Sequence, residues 1–118
     1  MTLSLRTQFE HAFDDLRSAL STMGQQVENS IRTSVEALQR RDLNNAEIVI
    51  KNEATINQMH HEIDDLCLRL LATEQPVATD LRQIVGALNV ISQLERIGDL
   101  AEHIARVAQR LAAEELIK

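Results

Sequence analysis

Apolar residues recur every three or four positions along almost the whole chain. The first series runs Leu5, Phe9, Phe13, Leu16, Leu20, Met23, Val27, Ile31, Val35 and Leu38, which is the period of an α-helix and not of a strand. It predicts a first helix over about 3–40. Gly24 lies inside it, at a cost of roughly 1 kcal/mol relative to Ala. Asp42 then reads as the N-cap of a second helix, because its carboxylate can accept free backbone N–H groups. That helix is predicted over about 43–73, with the stripe Ile50, Ile56, Met59, Ile63, Leu66 and Leu70, and Cys67 beside it. Glu74-Gln75-Pro76 ends it, and Pro76 suits the first turn of a new helix because it has no N–H to satisfy. The third helix is predicted over about 77–115, facing inward with Leu81, Ile84, Leu88, Ile91, Leu94, Ile97, Ala101, Ile104, Ala108 and Leu111.

Short connections force neighbouring helices antiparallel, so the expected fold is all-α, an up-down-up three-helix bundle forming one domain over 1–118. A long two-stranded coiled coil is the rival, and the breaks at Asp42 and Pro76 weigh against it. The broad face of Ile84, Val85, Leu88, Ile91 and Leu94 predicts that a second chain or second domain packs there, and a homodimer is the expected assembly.

Composition narrows the class. The chain has 118 residues, 44% of them apolar and 25% charged, with only 3 Gly and 1 Pro. That describes a globular chain poor in turns, not a disordered tail. Trp and Tyr are absent and Phe numbers 2, which argues against a β-rich fold and against a base-stacking platform. The net charge is −6, and both halves are acidic. Direct nucleic-acid binding and an anionic membrane surface are therefore disfavoured, whereas cations and basic protein surfaces are allowed. No apolar run is long enough for membrane insertion. One cysteine permits no internal disulfide, and without a recognisable export signal the cytoplasm is the expected location.

Candidate chemistry lies on the last two helices. Glu95 and Asp99 are four residues apart and share a face, where like charges repel unless a cation relieves them. Glu102 continues that face. On the second helix Glu53, Asn57, His60 and Asp64 form one stripe. Antiparallel packing of the two helices would set these stripes against each other, and carboxylates with one imidazole suit iron, zinc or manganese. The competing reading is a plain solvated face. Cys67, among leucines, reads as a buried thiol. Asp80 fits the start of a helix dipole, and Gly98 reads as a place where another helix approaches closely. No hydroxyl stands beside a base and its orienting group, and no Gly-rich phosphate loop is present.

Leu94-Glu95-Arg96-Ile97-Gly98-Asp99, continued by Leu100-Ala101-Glu102-His103-Ile104-Ala105, resembles the signature of the PhoU family. So does Gln75-Pro76-Val77-Ala78-Thr79-Asp80-Leu81-Arg82. Ile56-Asn57 with Glu62-Ile63-Asp64-Asp65-Leu66-Cys67 looks like the family's second helix, and Met23-Gly24 with Val27-Glu28 like its first. The resemblance implies one three-helix repeat, or the N-terminal half, of a protein built from two such repeats. It implies a non-enzymatic adaptor that couples a phosphate ABC transporter, through its ATPase subunit, to a sensor histidine kinase and restrains phosphate uptake and the phosphate regulon. It also implies metal on Glu95, Asp99, Glu53 and Asp64, with His60 standing where many members have a glutamate. A metal-dependent phosphohydrolase using the same carboxylates, or a purely structural helical dimerisation module, are the alternatives.

Overall fold

A computed structural model describes the backbone of residues 2–73 and 78–117, and side chains over 7–72 and 79–115. Three helices follow in chain order: α1 Thr2–Arg40, α2 Leu43–Thr73 and α3 Ala78–Ile117. Each packs on the other two, in a slender bundle of 71 × 18 × 16 Å. The long dimension is close to that of one helix, since 39 residues in α1 span about 58 Å at about 1.5 Å each. The chain therefore turns back twice, and the extended coiled coil is excluded. Pro76 and its neighbours, the expected start of the third helix, lie outside the described residues.

The α1–α2 corner shows why the first turn is so short. Arg41 adopts a left-handed φ of 53°, and the Asp42 N–H donates to the Ala37 carbonyl at 3.0 Å. This is the hydrogen bond that closes a helix end in the Schellman arrangement. A non-glycine residue in that conformation costs about 1 kcal/mol or more. Arg41 offsets this by bonding the Leu38 carbonyl and by reaching Glu115 at the far end of α3, 2.8 Å away. Asp42 caps α2 as the sequence predicts: its Oδ1 accepts from the Asn45 N–H at 3.1 Å.

All three helices bury strict alternations of three and four. In α1 the buried line is Phe9, Phe13, Leu16, Met23, Val27, Ser30, Ser34 and Ala37, with half-buried Leu20 completing it. The second half differs from the hydropathy reading. Ser30, Ser34 and Ala37 turn inward, while Ile31 and Leu38 are half-buried and Val35 is 40% exposed. In α3 the buried line is Ile84, Ala87, Ile91, Gly98, Ala101, Ala105, Ala108 and Ala112, so Leu81 and Ile97, expected inside, are largely exposed. Toward the α1–α2 corner small residues win because that end of the bundle is narrow. One core cluster holds Phe9, Phe13, Leu16, Met23, Ile56, Ile63 and Ile84. The other, near the α1–α2 corner, is built from Ala37, Ala46, Val49, Ala101, Ala105 and Ala108. Alanines let the helix axes close in, and a larger side chain there has no room. The face expected to receive a second chain is also mostly used internally, with Ile84 and Ile91 in the core.

Two outcomes check this description. Asp42→Ala should cost about 1 kcal/mol in denaturant unfolding through loss of the cap. Ala105→Leu should cost about 1–3 kcal/mol by overpacking, whereas Val35→Ala, on the exposed side, should change stability by less than about 0.5 kcal/mol.

Candidate metal centre

The buried line of α2 reads Ala46, Val49, Glu53, Ile56, His60, Ile63, Cys67 and Leu70. Glu53 and His60 occupy two of its inward steps and are half-buried, while the flanking Val49, Ile56 and Ile63 are fully buried. Polar groups at inward positions need partners. Antiparallel packing supplies them from α3: ligand-capable oxygens of Glu53, Glu95 and Asp99 all lie within 4.8 Å of one another. Glu95 and Asp99 reach the same spot because four residues make just over one turn.

Gly98 makes this approach possible. It is buried, and a Cβ built on it would sit 3.2 Å from Glu53 Oε2 and 3.3 Å from Ile56 Cγ2. The close helix contact expected at this glycine therefore lies within the chain, between α2 and α3. A methyl group here would press on the carboxylate that the site brings in.

The electrostatics are those of crowded like charges. The Glu53 carboxyl is pushed up to about 8. Burial is the largest cause, followed by its hydrogen bond to Asp99 and the charges of Asp99, Glu102 and Glu95. Glu95 Oε2 is buried with no hydrogen-bond partner among the described residues. His60 Nδ1 stands 3.6 Å from that oxygen, beyond good hydrogen-bond reach but close enough for ionic attraction. Asp99 is exposed, so the cluster opens to solvent on one side. A buried, under-satisfied carboxylate oxygen beside two other carboxylates suits a cation with oxygen ligands and open water positions.

The remaining predicted residues fall around this centre. Glu102 adds to its negative field and pairs with Arg106 at 3.5 Å. His60 adjoins it through Glu95. Asp64 stands eleven residues from Glu53, about 16 Å along the helix, and is not part of the three-residue group. Asp64 instead lies near Cys67, whose thiol is fully buried and raised first by burial and then by the Asp64 charge. The readable signal for the centre was its register: Glu53 and His60 interrupt an otherwise apolar three-four series.

The fold and site together define an all-α bundle with an acidic centre between two antiparallel helices. Residues 20–108 match the PhoU domain, and the chain belongs to the PhoU family. It is 41% identical over 110 residues to the phosphate-specific transport system accessory protein PhoU homolog of Clostridium acetobutylicum, covering 92% of this chain and 50% of that protein. It is 37% identical over 101 residues to the PhoU accessory protein of Escherichia coli K12, covering 86% and 42%. The crystal structure of PhoU from Pseudomonas aeruginosa superposes with a TM-score of 0.88 at 42% identity, over 90% of this chain and 51% of that one. The chain thus spans about half the length of the relatives it matches.

The raised Glu53 carboxyl has a stability signature. A folded pKa above the unfolded 4.5 favours folding at low pH, and that contribution is lost as pH rises through about 8. Metal-free protein should therefore melt at a falling temperature from about pH 4.5 to about pH 8, and Glu53→Gln should flatten that slope. An equal slope in the variant would assign the pH dependence to other groups. Gly98→Val should lower stability by about 1–3 kcal/mol through the clash at Ile56.

Proposed function

We propose that this chain is a non-catalytic regulatory adaptor in inorganic phosphate homeostasis, working as one three-helix PhoU unit. Its partners on this reading are the ATPase subunit of a phosphate ABC transporter and a sensor histidine kinase, and its effect is to restrain phosphate uptake and the phosphate regulon. The relatives' own name, accessory protein of a phosphate-specific transport system, supports the process. The acidic balance of the chain suits contact with basic protein surfaces rather than with nucleic acid. No described helix is long and apolar enough to cross a membrane, and action in the cytoplasm is part of the proposal.

The observation that carries the site's role is the Glu53–Glu95–Asp99 cluster. We assign it a transition ion, with iron, zinc and manganese as the candidates. Glu53, Glu95 and Asp99 supply oxygens, and His60 lies close enough to join through a small movement or to hold Glu95. Bound metal would supply positive charge that turns a repulsive acidic patch into a docking surface of fixed shape. The chain's own contribution is to hold the three carboxylates at one level of the bundle and to shield one side from water.

Two measurements test this. Metal added to apo-protein should release close to one proton per ion near pH 7, because the ion displaces the Glu53 proton. Calorimetry in buffers of different ionisation enthalpy reads that number, and Asp99→Asn should weaken the metal at least 10-fold. Absence of stoichiometric binding by any of the three ions would end the metal assignment. Independently, deleting the gene should switch on a phosphate-starvation reporter in phosphate-rich medium, and an unresponsive reporter would end the adaptor assignment.

A further inference from the structure

The groove between α1 and α2 is lined by uncharged polar side chains, in a chain that is 25% charged. Along it α1 presents Thr22, Gln26, Asn29 and Thr33, and antiparallel to them α2 presents Ile48, Asn52, Thr55 and Met59. Both series step by four, three and four residues, so each is one helical face. Two cavities lie in line in this groove. The larger, about 360 Å³, is lined by Gln26, Asn29, Thr33, Asn52 and Thr55, with Ile48. The smaller, about 180 Å³, is lined by Ala19, Met59 and Ile63, with Thr22 and Glu62. The polar groups of the larger cavity are under-used. Asn52 donates to Ser30 Oγ at 2.9 Å, and its carbonyl oxygen can still accept. The side chains of Gln26, Asn29, Thr33 and Thr55 have no hydrogen-bond partner among the described residues. Thr22, by contrast, returns its hydroxyl to the Ser18 carbonyl at 3.0 Å.

We propose that this groove docks an extended segment of a partner protein, through main-chain hydrogen bonds to Gln26, Asn29 and Asn52 and two side chains seated in the cavities. A carboxamide offers a donor and an acceptor, the two groups that each residue of an extended main chain must pair. A helix has few to give, because its own turns use them. A second copy of this chain presents only helices among its described residues, so it is not the occupant that this lining selects. The residues lining the two cavities are centred about 14 Å apart along the helices. That is about four residues of extended chain at about 3.3 Å each, and residues four apart point to the same face. The smaller cavity suits one aliphatic or aromatic side chain, since about 150 Å³ of apolar space is enough for benzene.

The two ends of the groove carry opposite charges. Lys51 lines the larger cavity and Glu62 the smaller, about 16 Å apart along α2. Lys51 holds Glu47 at 3.0 Å in an exposed pair, which is worth little and gives way to an incoming carboxylate. Glu62 accepts from Gln58 at 3.1 Å and has further lone pairs for a cation. The complementary segment therefore carries an acidic residue at one end and a basic residue about five positions away. The proposal rests on the adaptor assignment for the existence of a protein partner, and not on the metal.

The probe is a phage-displayed library of random dodecapeptides selected on the purified chain. Enriched sequences should place an acidic and a basic residue about five positions apart, with a leucine, methionine or phenylalanine beside the basic one. A fluorescein-labelled enriched peptide should bind in a polarisation assay, and Gln26→Ala with Asn29→Ala should weaken it by about 10-fold or more. That variant should melt as the wild type does, because neither side chain has a partner among the described residues. N-methylation of alternate main-chain nitrogens of the peptide should weaken it as much, a loss that side-chain recognition alone does not produce. Leu68→Glu, on exposed α2 surface outside the groove, should bind as the wild type does. No enriched peptide, binding that survives the double alanine variant, or a peptide bound as a helix in isotope-edited NMR would overturn the proposal. Gene deletion reads the adaptor role separately, so a responsive phosphate reporter with no bound peptide removes this surface alone.

Discussion

The contact that the rest depends on is the close approach of α2 and α3 at Gly98. Without a side chain there, the helices come near enough for Glu53 to lie against Glu95 and Asp99. Any larger residue would separate the carboxylates or displace Ile56 from the core. The approach creates a problem as well as a site, because three acids at one level repel one another and lose hydration. The protein's own remedy is to keep Glu53 protonated up to about pH 8. The cation proposed above would be the other remedy, and it would compete with that proton directly.

The taper of the core places this contact. Phenylalanine, leucine, methionine and isoleucine fill one end, and alanine fills the other. Between them α2 is polar on two sides. Asn52 Nδ2 donates to Ser30 Oγ on α1 at 2.9 Å, while Glu53 faces α3. Ser34 is fully buried and returns its hydroxyl to the Ile31 carbonyl at 2.7 Å. The Asn52–Ser30 and Ser34–Ile31 hydrogen bonds lie close to the axis, so the helices keep their register across a stretch where apolar packing alone would not specify it.

Helix α3 carries two distinct faces. One seam of small residues closes the bundle and presents Glu95 and Asp99 to α2. The other carries Val90, Ile97 and Leu100, each substantially exposed.

Much of the fold was legible in the sequence. The three-four spacing and Asp42 announced three helices and their reversal, because helical period and capping are local properties. Glu95 and Asp99 were legible for the same reason, being one turn apart. Family membership was legible in the segment from Leu94 to Ala105. Most of the inward stripes were legible too, from Phe9 to Val27, at Ile56, Ile63 and Leu70, and at Ile84, Ile91, Ala101 and Ala108. The inward turn of Ser30, Ser34 and Ala105 in place of Val35 and Ile97 was not, because hydropathy ranks the larger apolar residues higher while the narrow end of the bundle takes the small ones. The partnership of Glu53 with Asp99, the separation of Asp64 from both, and the identity of the helix that Gly98 admits were settled only by the packing of α2 against α3. They depend on distances between residues far apart in the chain, and no local pattern encodes those.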